Sequence, residues 1–194
     1  MTDYPNWFNT TGKFYFEKHL LPLAGTKLRA LQIGAYTGDA TAWLVENVLT
    51  HDESKLFDVD TWQGSDEEVH KDFDWSDVER VYDEKIAQYG DKVVKNKMTS
   101  VDFLVNNVPP KYDFIYVDGD HTALGTFLDA MLSWVWLKPN GIIAFDDYEW
   151  GKDSMHPHLA PGLGIDTFAY LYAPEMKLLD LGQQVWIKKV EEGA

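Results

Sequence analysis

Acidic side chains stand at three places where an apolar run, typical of a buried strand, gives way to a loop. Asp60 ends the run LFDVD, Asp118 ends FIYVD, and Asp146 with Asp147 ends IIAFDD. A single Asp at such a position is more often a turn former or a helix cap. Carboxylates that cluster without cations repel one another, so they must be protonated, well hydrated or bound to a metal. Three acidic strand ends therefore favour a functional site, at which a hard cation such as Mg²⁺ would neutralise Asp118, Asp146 and Asp147.

The histidine next to these acids is His121, which follows the turn Asp118-Gly119-Asp120. A lone histidine is more often structural or solvent-exposed than catalytic. Beside several carboxylates its pKa would rise, which suits a general base. The pair His156 and His158 has the spacing of metal ligands, but its proline-flanked loop is more typical of a cover over a site.

Residues 28–48, LRALQIGAYTGDATAWLVENV, are the stretch around which the chain is organised. The apolar run 28–33 suits a strand, 34–38 is a turn of small residues, and the period of the apolar residues then becomes helical. Glycines let the backbone approach a ligand, and the free N–H groups of the helix start point into the same space. The G-x-x-x-G spacing lacks the third glycine of the dinucleotide fingerprint. With Asp60 about 20 residues further on, at the distance of a ribose-binding acid, an adenosine-type cofactor is favoured over an ordinary tight turn.

Strands and helices alternate along the chain, which predicts an α/β fold with a mostly parallel sheet. Further predicted strands are 91–98, 112–120, 141–148 and two near the C-terminus around Gly182, and 138–141 is a predicted turn. The short connection at Gly182 can join only antiparallel neighbours, so one reversed strand lies near an edge. Predicted helices are one capped by Ser76 or Asp77 and others over 99–108, 123–137 and 164–172. Residues 1–27 are an N-terminal helical or lid segment, with Trp7 and Phe8 expected in core packing, and 62–77 and 149–161 are insertions at the rim of the site.

The composition limits the class of protein. A length of 194 residues fits a single domain, 1–194, and the formal charge of −15 argues against a nucleic-acid backbone as the main partner. No apolar run approaches the ~18 residues of a membrane span, and no secretory signal peptide is visible. The absence of cysteine fits a reducing cytoplasm, so we expect a cytoplasmic protein. The lack of a membrane span leads us to expect no membrane partner. Spare aromatic residues near the N-terminus are compatible with a homodimer.

Five segments in this order resemble the class I S-adenosylmethionine-dependent methyltransferases: LQIGAYTGDATAWLVENVL, FDVDTWQGS, FIYVDGDH, LSWVWLKPNGIIAFDDY and QQVWIKK. The resemblance covers 28–189 and is strongest to a small bacterial and viral branch with D-G-[DS]-H and F-D-D-Y signatures. It implies a Rossmann-like three-layer sandwich whose sheet has seven strands, the last of them antiparallel.

The resemblance also implies roles for individual residues. The methionine part of the cofactor would lie along the first turn, at Gln32, Gly34, Ala35, Tyr36 and Gly38. Asp60 would bind the ribose, and Thr61, Trp62, Thr99 and Ser100 would surround the adenine. Asp118 would border the cofactor and, with Asp146 and Asp147, would bind Mg²⁺. His121 or Asp118 would take the proton from a hydroxyl of a small-molecule or sugar acceptor.

Gln32 departs from the family pattern, because an acidic residue is usual at its position. A glutamine still accepts a hydrogen bond but brings no charge toward the cofactor, and Asp39 is the nearest residue that could compensate. This departure keeps an alternative open, namely an altered member of the scaffold that is a cofactor-binding protein or an iron-dependent oxygenase. A nicotinamide dehydrogenase is disfavoured by the missing third glycine.

Overall fold

The structure is a computed structural model that describes residues 4–65, 70–106, 110–152 and 155–190. Parts of four sequence predictions lie outside the described residues. These are the start of the N-terminal segment (1–3), the middle of the first rim insertion (66–69), the end of the predicted helix 99–108 with Pro109 (107–109), and two residues of the second insertion (153–154).

Seven strands form one sheet. They are β1 (Arg29–Ile33), β2 (Lys55–Asp60), β3 (Val93–Lys97), β4 (Tyr112–Val117), β5 (Leu137–Phe145), β6 (Met176–Leu181) and β7 (Val185–Lys189). Their order across the sheet is β3-β2-β1-β4-β5-β7-β6, and the pairs β5–β7 and β6–β7 are antiparallel while the others are parallel. The predicted fold class, including the reversed last strand, is confirmed. Because the strand order reverses between β1 and β4, the carboxyl ends of these two strands flank the crevice where ligands bind in open α/β sheets.

Helices cover both faces of the sheet. They are α1 (Lys13–Leu20), α2 (Asp39–Asn47), α3 (Trp75–Ile86), α4 (Ser100–Asn106), α5 (Ala123–Trp136) and α6 (Pro161–Leu171), and a π-helical turn, Phe8–Gly12, leads into α1. Within the described ranges, no helix has both the length and the apolar character needed to cross a membrane.

The central strand β4 explains the three-layer arrangement. Its apolar side chains alternate, with Phe114 and Tyr116 in the core beneath α1 and α2, and Ile115 and Val117 in the core beneath α4, α5 and α6. A strand buried on both faces is apolar at nearly every position, as the run FIYV is. In β4 the acidic residue of the candidate site, Asp118, therefore follows the end of the buried run.

Three element boundaries differ from the predictions. Helix α3 begins at Trp75 because Asp74, in an extended conformation, accepts hydrogen bonds from the N–H groups of Ser76 and Asp77. The predicted caps Ser76 and Asp77 are thus wrong, and the first rim insertion ends earlier than residue 77. The predicted turn 138–141 lies inside β5, at an irregularity in the β4–β5 register. Helix α6 begins at Pro161, since proline is tolerated in the first turn of a helix.

Candidate functional site

The ends of β1 and β4 meet in direct backbone contact. Gly34, with φ of +83°, lies so close to the β4 end that a Cβ there would be 1.8 Å from the carbonyl oxygen of Asp118. The amide of Asp118 donates to the carbonyl of Ile33, and that of Asp146 donates to the carbonyl of Val117. These bonds place the ends of β1, β4 and β5 at one level. The packing between the two turns therefore requires a glycine at position 34.

Asp60 supports the turn that follows β1. Its Oδ2 atom accepts hydrogen bonds from the amides of Ala35 at 2.8 Å and Tyr36 at 2.9 Å, and its Oδ1 accepts from the amide of Trp62 at 2.7 Å. A carboxylate has about four acceptor positions, so about one remains for a ligand hydroxyl. The structure thus places Asp60 beside the turn, and ribose binding by Asp60 stays a prediction.

Gln32 is buried at the end of β1, with 2% of its surface exposed. Its Nε2 donates to the carbonyl of Gly34 at 2.9 Å, but no group in the described ranges donates to its Oε1. A buried carbonyl oxygen without a partner is costly, which makes this atom a ready acceptor for a ligand N–H group. Asp39, considered above as a source of compensating charge, is paired with Lys85 at 2.6 Å and accepts from the Thr37 hydroxyl.

Aromatic rings surround Tyr36, which has φ of +47° in the middle of the turn. Trp7 stacks on Tyr36 with ring centroids 4.9 Å apart, and Tyr4, Phe73 and Trp75 contact the same ring edge-on or tilted. We call the four residues around Tyr36, namely Tyr4, Trp7, Phe73 and Trp75, the aromatic cover. Burial raises the pKa of the Tyr36 hydroxyl well above its ordinary value. The cover lies over the predicted site of the methionine part of the cofactor.

Trp62, predicted to lie against the adenine, has 3% of its surface exposed. Its Nε1 donates to the carbonyl of Tyr36, its ring lies 4.7 Å from that of Tyr82, and Lys95 Nζ lies 4.6 Å from its ring centroid. The neighbouring residue Thr61 is half-buried and lies nearer the solvent than Trp62 does. The indole is thus packed among protein groups, and its contact with adenine stays a prediction.

The other predicted adenine residues lie at the start of α4. Thr99 caps this helix, because its hydroxyl accepts from the amide of Asp102 and donates to the Asp102 carboxylate. The Ser100 hydroxyl donates to Asp129 Oδ1 at 2.5 Å. Asp129 lies on α5 with 2% exposure, and burial raises the pKa of its carboxyl to about 7.

An acidic cluster with one histidine occupies the ends of β4 and β5. His121 Nε2 lies 3.3 Å from Asp118 Oδ1 and 3.4 Å from Asp147 Oδ2. One ligand atom from each of these three residues lies within 4.8 Å of the others, which is the spacing of a metal-ligand set. Burial, followed by the charge of Asp146, raises the pKa of Asp118 above its ordinary value.

Asp146 faces a different set of partners. Its Oδ2 accepts a short hydrogen bond from the buried hydroxyl of Tyr116, and its Oδ1 accepts from the amide of Asp147 at 2.8 Å. The geometric set is therefore Asp118, His121 and Asp147, whereas the sequence prediction has Asp146 in place of His121.

With this geometry established, a comparison with protein-family models becomes informative. A family model described as a methyltransferase domain matches residues 31–148, from β1 to just beyond β5. This range is more than half of the chain and contains both turns and the acidic cluster. The chain belongs to this methyltransferase domain family.

Solved structures share the fold of this methyltransferase at low sequence identity. An O-methyltransferase from Bacillus cereus in complex with SAH is 20% identical, with 97% of this chain and 83% of that chain covered and a TM-score of 0.66. The O-methyltransferase TomG from Streptomyces achromogenes, involved in tomaymycin synthesis and solved with SAM, is 16% identical, with 94% and 80% covered and a TM-score of 0.67. The N-methyltransferase NodS from Bradyrhizobium japonicum is 15% identical, with 93% and 99% covered and a TM-score of 0.59. No curated protein sequence matches the methyltransferase significantly.

The family match does not favour the altered-chemistry alternatives, a binding protein or an oxygenase. Sequence reasoning did not single out three buried polar residues, Asp58, Tyr116 and Asp129, of which Tyr116 and Asp129 bond to predicted site residues. Asp129 had a usable signal, because it is an acid on the buried face of an otherwise apolar helix. Trp7 was expected in the core, but it is 41% exposed and covers Tyr36, whereas Phe8 is buried as expected.

Proposed function

We propose that this protein is an S-adenosylmethionine-dependent methyltransferase that methylates a hydroxyl of a small-molecule acceptor. The observation that carries the cofactor proposal is the buried, unpartnered Oε1 of Gln32 beside the glycine turn. A neutral acceptor there suits the ammonium group of the methionine part, with Gly34, Ala35, Tyr36 and Gly38 along the same turn. The complexes of the two O-methyltransferase neighbours with SAH and SAM support the same cofactor.

The proposed placement follows the sheet edge from β1 toward β3. One ribose hydroxyl takes the remaining acceptor position of Asp60, and the adenine lies toward Thr61, Trp62, Thr99 and Ser100. Asp118, which touches Gly34 through its backbone, borders the methyl-donating end. The sulfonium is already a strong methyl donor, so the protein has to hold donor and acceptor in line and to remove one proton.

His121 and Asp118 are the proposed proton acceptors. The His121 imidazole lies between two carboxylates, which orient the ring and stabilise its charged form. Burial and the charge of Asp146 raise the pKa of Asp118, which makes this carboxylate a stronger base than an exposed one. The acceptor hydroxyl would then lie beside His121, on the side of the cluster that faces the loop after β5.

A divalent metal fits the same cluster. Asp118, His121 and Asp147 would hold it, with Asp146 fixed next to them by Tyr116. A ring nitrogen that binds a metal has no lone pair left for a proton, so His121 would accept the proton only in the metal-free site. When bound, the metal would lower the pKa of the acceptor hydroxyl, as Mg²⁺ was expected to do at Asp118, Asp146 and Asp147. The imidazole ligand suits Mn²⁺, Fe²⁺ or Zn²⁺ better than Mg²⁺, which prefers oxygen ligands alone.

Calorimetric titration with S-adenosylmethionine, with and without divalent metal, tests the proposal. We expect binding in the micromolar range by the native chain and a loss of about tenfold in Gln32→Ala. Gln88→Ala is the matched control, because Gln88 is exposed in the segment after α3 and away from the turn. Absence of cofactor binding at millimolar concentration would refute the methyltransferase proposal, whereas binding that is insensitive to a chelator would remove only the metal.

A further inference from the structure

A hollow of about 200 Å³ lies between the loop after β5 and the first turns of α6. The residues that shape its walls include Tyr148, Trp150, Lys152, Pro157, Leu163 and Asp166. An apolar cavity of about 150 Å³ holds one benzene molecule. The hollow therefore has room for one six-membered ring with small substituents.

The hollow adjoins the acidic cluster. Tyr148 follows Asp147 directly in the chain, and the ring centroid of Trp150 lies 5.7 Å from that of His121. Trp150 thus belongs both to the wall of the hollow and to the surroundings of the proposed proton acceptor. A ring held against Trp150 would therefore lie near His121.

Two glycines bring the walls of the hollow together. A Cβ at Gly162 would lie 2.9 Å from the carbonyl oxygen of Tyr148, and one at Gly151 would lie 2.8 Å from the Cβ of Ala160. Gly151 also has φ of +67°, a conformation that other residues rarely adopt. The loop and the start of α6 are consequently in close contact around the hollow.

The walls are mostly apolar and aromatic. Trp150 is 44% exposed and Leu163 48%, so both present apolar surface to the solvent. Among the described lining residues, the charged groups are Lys152, which lies over the Tyr148 ring, and Asp166, which accepts from the Tyr148 hydroxyl at 3.0 Å. A sugar needs a partner for each buried hydroxyl, because an unpaired buried hydroxyl is costly. The lining therefore suits an aromatic ring better than a sugar.

Charge narrows the class of ligand further. The chain has a formal charge of −15, and Asp147, which belongs to the acidic cluster with Asp118, directly precedes the lining residue Tyr148. Without a bound metal, an anionic acceptor would be repelled as it approached these carboxylates. The site thus favours an uncharged molecule.

We propose that this hollow is the acceptor subsite and that its ligand is a single-ring, uncharged phenol whose ring lies on Trp150 and whose hydroxyl faces His121. This inference rests on the proposed function, since the phenol hydroxyl is the group that would receive the methyl. It assigns the choice of acceptor to the loop after β5 and to α6.

Binding of phenol to the full chain tests the assignment, measured by saturation-transfer NMR and by calorimetry, with and without S-adenosylhomocysteine. Methyl glucoside and benzoate are the comparison probes. We expect phenol to bind more tightly than either, and Trp150→Ala to weaken phenol binding about fivefold or more. Leu163→Trp, which fills the hollow from the opposite wall, should abolish it. Tyr170→Ala is the matched aromatic control, because Tyr170 lies on the same helix with 84% exposure.

The outcomes separate this inference from the proposed function. Unchanged phenol binding in both Trp150→Ala and Leu163→Trp would overturn the subsite while leaving the cofactor proposal intact. Tighter binding of methyl glucoside or benzoate than of phenol would overturn the ligand class. Loss of S-adenosylhomocysteine binding in the native chain would instead refute the methyltransferase proposal, and the phenol titration without cofactor would still decide whether the hollow binds an aromatic ring.

Discussion

The indole ring of Trp7 lies on the phenol ring of Tyr36, with centroids 4.9 Å apart and planes 29° from parallel. Tyr36 occupies the centre of the glycine turn, where the proposed cofactor would place its methionine part. Trp7 belongs to the segment before α1 and is 41% exposed. The N-terminal segment is thereby positioned to limit access to the turn.

Replacing Trp7 should change the kinetics of cofactor binding more than the stability of the fold. An aromatic pair contributes about 0.5–1.5 kcal/mol beyond buried area, so we expect Trp7→Ala to lower the free energy of unfolding by about 1 kcal/mol. Association and dissociation of S-adenosylhomocysteine should both become faster, as measured by stopped-flow fluorescence. Phe14→Ala, at a residue 66% exposed on α1, should leave both rates unchanged. Equal rates in Trp7→Ala and the native chain would show that Trp7 does not restrict entry.

Replacing Asp60 should weaken both the turn and the cofactor site. Its carboxylate accepts three backbone N–H groups, and hydrogen bonds to a charged group each contribute about 1.5–3 kcal/mol. An asparagine retains one oxygen, so we expect Asp60→Asn to lower the free energy of unfolding by about 1–3 kcal/mol and cofactor affinity about tenfold. Urea unfolding and calorimetry measure the two effects. Asp58→Asn, two residues earlier on the same strand, is the control whose cofactor affinity should stay close to that of the native chain.

Asp58 should make stability depend on pH. Its carboxyl is fully buried, accepts from Thr41 and Tyr82, and burial raises its pKa from 3.8 to about 7. Between these values the unfolded chain binds fewer protons than the folded one, so stability falls as the pH rises from about 4 to about 7. Below the lower value both states are protonated, and this penalty is absent.

An asparagine at position 58 cannot ionise, so Asp58→Asn should lose less stability than the native chain between about pH 5 and about pH 7.5. Urea unfolding at the two pH values measures the difference. Asp52→Asn, at an exposed position just before β2, should follow the native chain. Parallel curves for Asp58→Asn and the native chain would mean that the carboxyl is already ionised when folded.

The two candidate metal-ligand sets give opposite expectations for Asp146 and His121. In the geometric set, His121→Asn and Asp147→Asn should weaken Mn²⁺ binding by about tenfold or more, while Asp146→Asn has a smaller effect. Loss of the free Mn²⁺ signal in electron paramagnetic resonance measures this binding without relying on turnover. Strong dependence on Asp146 with little dependence on His121 would support the sequence-derived set instead.

The fold was largely predictable because its local signals agree with one another. The strand β4 is an uninterrupted apolar run, and the short connection at Gly182 permits only an antiparallel pair. The cap of α3 was harder, since Asp74, Ser76 and Asp77 can all cap a helix and only the backbone conformation of Asp74 decides. Sequence patterns therefore located the elements more reliably than their ends.

The site was predictable in its location but less so in its contacts. The shared location of the acids at 60, 118, 146 and 147 was predictable, because each follows an apolar run and parallel strands bring their carboxyl ends to one edge of the sheet. Which of these faces His121 depends on side-chain directions that the sequence does not encode locally. Tyr116 shows this, since its hydroxyl crosses to the β5 end and holds Asp146. Asp58 likewise has no local sign that Tyr82, from a helix further along the chain, will cover it.

The contact between Gly34 and the carbonyl of Asp118 has a consequence for engineering. Since no side chain fits between them, the turn after β1 and the turn after β4 cannot be separated by substitution, and the donor half of the crevice has a fixed width. Redesign for larger acceptors must therefore begin at the loop after β5 and at α6, where Trp150 and Leu163 respectively can be shortened without moving either strand.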